Sequence, residues 1–226
     1  MAARLAIVCE PLGFDLLEPF GVGKAYQQLA SFGREPALGI LIGNTHRLWP
    51  AFVEACRADR SLADAEHPLD QYVTHALTHA VPLATSQASQ IVFSHVTSPR
   101  AFPIARLAES IGFAAISPSH LAIHPEHGPW IALRAVITID VDGPTTPAPA
   151  PARPCLTCSA PCMPALQHAV TASGTPLTSA TIAAHAPEWI RVRDACPIGR
   201  DSRYSDAQLR YHYAPARSRS LLTPNG

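Results

Sequence analysis

An α+β fold, with helices packed on a sheet, is the class this sequence predicts, and three observations predict it. Short apolar runs bounded by Pro and Gly read as strands; stretches of helical periodicity lie between them; and one long β-rich run, WIALRAVITIDV at 130–141, has the length of an interior strand. A chain of 226 residues can bury roughly 70 to 75% of its unfolded surface, which supports one main core.

In chain order, LGILI at 38–42 sits between Pro36 and Gly43 and suits a strand buried on both faces. Residues 44–58 read as helix. Asp70 is placed to cap QYVTHALTHAV, where Val73, Ala76, Leu77 and Ala80 form one apolar stripe, and Pro82 is expected to end it. Ile91, Phe93 and His95 alternate with Val92 and Ser94 in a further strand, and Pro103 opens a helix that stops at Gly112. FAAIS at 113–117 and LAIH at 121–124 are short β-rich pieces. In the long run, Ile131, Leu133, Ala135, Ile137 and Ile139 share one face under strict alternation, which predicts a central or near-central strand.

Composition changes at 143–154, where prolines at 144, 147, 149, 151 and 154 forbid regular pairing and favour extended geometry. The expected organisation is a ligand-binding α+β domain at 1–142, a proline-rich connector at 143–154, and a cysteine-bearing extension at 155–226 that folds back on the domain. Within that extension a Thr- and Ala-rich stretch reads as helix, and Ser205 can cap a last one.

Charge is balanced, with 17 basic and 17 acidic residues, so no net field gathers nucleic acid or an anionic membrane. The opening MAARLAIVCEPLGFD lacks the form of a signal peptide and no apolar stretch is long enough to span a bilayer, so a soluble cytoplasmic protein is expected, with neither nucleic acid nor membrane as a partner. A phosphate-binding glycine loop, a nucleophile elbow and an H-E-x-x-H helix are all missing, which removes support for nucleotide hydrolysis, serine hydrolysis and zinc proteolysis.

Six cysteines divide into two groups. Cys9 and Cys56 stand alone in apolar surroundings and read as core residues. Cys155, Cys158, Cys162 and Cys196 have metal-ligand character, because thiolates at short spacing can converge on one centre. The gaps depart from the ferredoxin run, whose second gap is two where this one is three, and Leu166 stands near the place of its fourth cysteine. A [4Fe-4S] cluster, a structural zinc and no metal therefore all stay open.

The second constellation is IHPEHGPW at 123–130, a tight turn holding two histidines, a carboxylate and a glycine. His124 offers a ring nitrogen to a metal or to a ligand amide, and Gly128 offers positive φ or a close backbone approach; a plain polar hairpin loop is the alternative. His120, His127 and His212 are further candidates for the edge of a pocket, whereas His75 and His79, one turn apart, read as a solvated helix face.

With IHPEHGPW the chain also resembles the CblC-type cobalamin-processing proteins, whose IHP-x-x-G-x-W signature it matches. GFDLLEPFGVGKAYQ, LGILIGNTHRLWPAF, HPLDQYV, FPIARLAESIGFAAIS, PWIALRAVITID and RDACPIGRDSRYSDAQLRYHY resemble that family in the same order. The resemblance implies a nitroreductase-like fold, a mixed sheet packed with helices, that binds cobalamin with its lower base displaced and reduces the cobalt or removes its upper ligand, with FMN or glutathione as helper. It places His124, Gly128 and Trp130 against the corrin, with Asp70 and Gln71 beside it. It places Arg134, Arg193 and Arg203 where glutathione or the nucleotide phosphate would be gripped; for Arg134 a buried carboxylate partner is the competing explanation, as helix capping is for Asp70. The cysteine group is similar to that of epoxyqueuosine reductases and reductive dehalogenases, which carry iron-sulfur clusters beside the cobalt. The corrinoid, a downstream B12-dependent enzyme and an electron donor are the implied partners. A non-catalytic B12 chaperone and a flavin-dependent reductase without corrin are the other two readings.

Overall fold

The computed structural model describes residues 1–23, 26, 28–97, 101–146, 153–215 and 218–223. Helix α1 (Ala2–Cys9) leads into β1 (Leu16–Val22) and β2 (Ala37–Asn44), followed by α2 (Leu48–Ala58), α3 (Arg60–Asp64) and α4 (Pro68–Ala84). Next come β3 (Ser89–Phe93), α5 (Ile104–Ser110), the two-residue strands β4 (Ala115–Ile116) and β5 (Ala122–Ile123), and the long β6 (Ala132–Asp142). Helices α6 (Cys162–Ser173), α7 (Ser179–Ala184), α8 (Ala186–Asp194) and α9 (Asp206–Tyr213) complete the chain. None of these helices is long and apolar enough to cross a membrane.

The predicted α+β class holds. Four strands form a sheet in the order β1-β2-β6-β3, and β4 pairs with β5 in a small second sheet. Every pairing among the described residues is antiparallel. Strand β2 is buried along its whole length, as its run of apolar residues requires, and β6 lies between β2 and β3, which is the central position its length predicts.

Side-chain alternation splits the core in two. Ile40, Ile42, Ala135, Ile137 and Ile139 pack under α4, whose Val73, Ala76, Leu77 and Ala80 supply the facing stripe, while Leu41 and Val136 face Leu107, Ile111 and Phe113 on the other side. One part of this departs from strict alternation. The register passes from Ile42↔Ala135 to Gly43↔Leu133, leaving Arg134 as an extra residue on β6. This bulge reverses parity, so Ile131 and Leu133 join the opposite core from Ala135, Ile137 and Ile139.

Local boundaries differ from expectation for identifiable reasons. Asn44 belongs to β2 and is fully buried, and Asp15 accepts the Thr45 amide at 2.7 Å, so α2 starts only at Leu48. Helix α4 begins with Pro68 at its first position, after His67, which makes no capping bond; Asp70 is inside the first turn and is not the cap. Pro82 does not end α4, which continues to Ala84, because in the last turn the missing N–H removes only one bond. Strand β1 went unread in the sequence because Pro19 and Gly21 interrupt it; as an edge strand it tolerates both.

The chain beyond residue 153 packs against the first half. Tyr211 lies 5.3 Å from the ring of Trp49 and 5.5 Å from that of Phe52, and Arg219 donates to the carbonyls of Ala63 and Glu66 at 2.9 Å each. Ser205 caps α9, accepting the Gln208 amide at 3.2 Å as expected. Of the proline-rich connector, residues 147–152 lie outside the described residues.

Candidate functional site: two pockets flanking one helix

The turn at 123–130 closes on itself through paired backbone bonds between His124 and Gly128, each 2.9 Å. Nδ1 of His124 accepts the amides of Glu126 and His127 at 3.2 Å each, so the neutral ring carries its proton on Nε2. Burial, aided by the adjacent His127 and opposed by Glu126, pushes its pKa down to about 4. At neutral pH His124 is therefore an N–H donor whose free nitrogen is protonated. This suits a ligand carbonyl better than a metal ion.

Gly128 adopts φ +55, and a Cβ there would fall 2.1 Å from the carbonyl oxygen of Ile198; at Gly199, φ +72, a Cβ would meet His127 at the same 2.1 Å. The two glycines let the turn and the 196–202 loop touch backbone to backbone. The close approach is thus to the protein's own chain. His127 reinforces it through Ser202 at 2.8 Å. Trp130, 1% exposed, is enclosed by Tyr204 at 5.7 Å between ring centroids and by Leu209.

Immediately after Trp130 the chain borders a pocket of about 610 Å³ lined by Ile131, Ala132, Arg134, Arg193, Tyr204, Leu209, His212 and Tyr213. Arg134 reaches it from the β6 bulge. Its Nε donates to Asn44 Oδ1 at 2.7 Å, but the buried Nη2 has no partner. No carboxylate bonds it among the described residues, which removes the explanation of Arg134 as half of a buried ion pair; Asp70 acts on it only through its field. Arg193 donates from Nε to the Tyr213 hydroxyl at 3.1 Å and from Nη1 to the Pro129 carbonyl. Tyr204 Oη and His212 Nε2 are buried and also unpartnered. Burial, followed by the charges of Arg134 and Arg193, pushes the His212 pKa down to about 3, so its ring is neutral.

Arg134, with an unmet buried donor, and Arg193 beside it around a half-enclosed space form a site for an anion, since a buried charge lacking its counter-charge is costly. Tyr204 and Tyr213 were not read from the sequence; only their place near the end of the RDACPIGRDSRYSDAQLRYHY segment pointed to this region.

The remaining expected residues lie elsewhere. Asp70 and Gln71 line an open groove on α4 with Thr74 and His95, where His95 Nδ1 stands 3.9 Å from Asp70. His75 and His79 are exposed on the same helix. Arg203 does not join the arginine pocket: Asp194 takes its fork at 2.7 and 3.3 Å, Asp206 a further donor at 3.0 Å, and its guanidinium lies 5.7 Å above Trp130.

The four late cysteines, Cys155, Cys158, Cys162 and Cys196, line one small pocket, together with Ser117, Ile123, Val192 and Pro197 among others. All four are free thiols. Burial pushes the Cys155 and Cys196 thiols up, while the Ile198 amide, bonded to Cys196, opposes the rise there. Among the described residues no set of three His, Cys, Asp or Glu side chains is close enough to hold a single metal ion. Cys9 and Cys56 are buried in the main core with pKa values pushed up to about 11 by burial, as inert core thiols should be.

Helix α8 and the turn connect the two pockets. Val192 and Ile123 face the cysteines, whereas Arg193 and Ile131 face the arginine pocket.

No protein-family model matches the chain, nor does any curated protein. Among solved structures, the chain is similar to the B12-trafficking protein CblC of C. elegans, a homologue of human MMACHC. The two are 18% identical, the match covers 97% of this chain and 94% of that one, and the TM-score is 0.68.

Proposed function

We propose that the chain binds a cobalamin and handles it as a trafficking and processing protein, with the Arg134–Arg193 pocket receiving an anionic part of the bound molecules. The observation that carries this reading is the orphan Nη2 of a fully buried Arg134 beside Arg193. The likeness of fold to a B12-trafficking protein supplies the ligand class.

The residues fit part of such a ligand. Ile131, Ala132 and Leu209 give an apolar floor, and Arg134, Arg193 and Tyr204 give donors matched to the phosphate of the nucleotide tail or to the carboxylates of a co-substrate such as glutathione. His124, whose Nδ1 is taken by two backbone amides, would offer its Nε2 proton to an acetamide oxygen of such a ligand. Trp130 and the glycine interlock hold this edge rigid and dry. A corrinoid supplies the cobalt chemistry; the chain supplies position, a counter-charge and exclusion of water.

In the fuller form of the reading the protein also promotes reduction of cobalt with loss of the upper ligand, its electrons coming from a reduced flavin or a low-potential donor protein. The cysteine pocket across α8 from Arg193 favours this over simple carriage. A titration of the protein with hydroxocobalamin, followed by absorbance and calorimetry, tests binding. Saturable binding with displacement of the lower base is expected, and Arg134→Gln should weaken it at least tenfold, about 1.4 kcal/mol. Absence of heat and of any spectral change with hydroxo-, cyano- and methylcobalamin would overturn it. Anaerobic conversion to Co(II) faster than for free cofactor separates processing from carriage.

A further inference from the structure

We infer that Asn44 is the positioning residue that keeps Arg134 open to an anion: its amide oxygen holds the guanidinium in place without neutralising it, where a carboxylate would close the site. The inference rests on the reading of the Arg134–Arg193 pocket as an anion site, and adds to it the residue that decides whether the charge is answered from inside or outside the chain.

Asn44 is the last residue of β2, fully buried, and pairs with Ala132 beside the bulge that presents Arg134. Its Oδ1 accepts Arg134 Nε at 2.7 Å, while its Nδ2 donates to the Thr45 carbonyl at 2.6 Å. Both bonds fix the same orientation of the amide, because a guanidinium only donates and a carbonyl only accepts. Thr45 is anchored in turn, its amide and its hydroxyl both donating to Asp15.

The chemistry of residue 44 sets what is left over. A guanidinium presents two parallel N–H groups to a carboxylate, whereas an amide has one oxygen with which to meet them. With Asn at this position Nε is satisfied and Nη2 stays orphaned. An Asp of nearly the same size would bring a second acceptor and a full negative charge. An incoming phosphate or carboxylate would then have to compete with an internal partner.

The nearby carboxylates leave this role to residue 44. Asp15 is engaged by Thr45 and lies 3.8 Å from Arg47 Nε. Asp70 reaches Arg134 only through its field, and among the described residues no carboxylate lines the pocket. Arg193 adds positive charge on the far side. The pocket therefore carries two cationic side chains, and the one buried acceptor set against Arg134 is uncharged.

The experiment is calorimetric titration of the full chain with hydroxocobalamin, glutathione and inorganic phosphate, repeated on Asn44→Asp, Asn44→Ala, Arg134→Gln and Asn44→Asp/Arg134→Gln, with urea midpoints measured alongside. Asn44→Asp should weaken the probes that Arg134→Gln weakens by about tenfold or more, with its midpoint level or raised, because the buried charge gains a partner as the Thr45 carbonyl loses one. Asn44→Ala leaves Nε without its acceptor and should weaken the same probes by roughly threefold. In the double variant the Asp should add nothing to the loss, since its effect runs through Arg134. Full affinity in Asn44→Asp, a loss there that merely tracks a lowered midpoint, or an equal loss with and without Arg134 would each overturn the inference. If Asn44→Asp does not fold, Asn44→Ala decides: weakened binding upholds the inference and full affinity overturns it. Where Arg134→Gln weakens a probe and the Asn44 variants do not, the inference falls and the anion pocket stands; where Arg134→Gln weakens none, or the natural chain binds none, both fall.

Discussion

Beneath α4, Ile40, Ile42, Ile137 and Ile139 meet Val73, Leu77 and Val81 with none of these side chains more than 2% exposed. Beside α8, the same strand β6 contributes Arg134 to a pocket, and five of the six unpartnered buried side-chain atoms among the described residues belong to Arg134, Tyr204, Gln208 and His212. The first region satisfies itself, as interiors do. The second keeps buried polar groups that nothing among the described residues answers, which is the property the proposed anion site rests on. The β6 bulge divides them: within one residue it turns the strand from packing to presentation.

That contrast can be broken or sharpened by mutation. Leu77→Ala should cost the most stability, about 2 to 5 kcal/mol, because the closed core leaves a cavity it cannot refill; chemical denaturation measures it, and a loss under 1 kcal/mol would mean the core is looser than its burial implies. Gly128→Ala forces a Cβ into the Ile198 carbonyl at a left-handed backbone position. It should cost about 3 kcal/mol and lower Tm by roughly 10 °C, with ligand affinity falling too because the interlock frames the pocket.

Acid should weaken the second region first. His124 and His212 have folded-state pKa values of about 4 and about 3, below the ordinary 6.5, so the unfolded chain takes up protons that the folded chain refuses. Stability is full above about pH 6.5 and falls as pH drops toward 4. His212 faces Arg134 and Arg193, both cationic, and the phenols of Tyr204 and Tyr211; His124 faces His127 and Glu126. His212→Gln should flatten the fall, measured as urea midpoint against pH, and an unchanged profile would mean the ring is already solvated.

Arg134→Gln reverses the pattern of Leu77→Ala. It removes a buried charge without a counter-ion, so unfolding should change by under about 1 kcal/mol while ligand binding weakens tenfold or more. The smallest effect belongs to Ser205→Ala, about 1 kcal/mol from the lost cap of α9.

Much of the first region was legible in the sequence because period and polarity are local signals: LGILI, the α4 stripe and the long β6 run each declare themselves within a dozen residues. The edge strand β1 was hidden by Pro19 and Gly21, and the parity change at Arg134 by the uninterrupted apolar pattern around it. In the second region the sequence pointed to Arg134, Arg193 and the cysteines, but not to their arrangement. That Arg134 bonds an asparagine 90 positions away, that Arg203 is occupied by Asp194 nine positions back, and that Tyr213 meets Arg193 across 20 positions all depend on how separate elements pack. No local pattern encodes such contacts.

Val192 and Arg193 are successive residues of α8 that look into different chambers, with Cys196 one turn further on. A single helix is thus the party wall between them, about 10 Å through with its side chains. Whatever occupies the two rooms is held at a spacing set by the backbone and not by either tenant. A bend or untwist in that one turn would resize both at once.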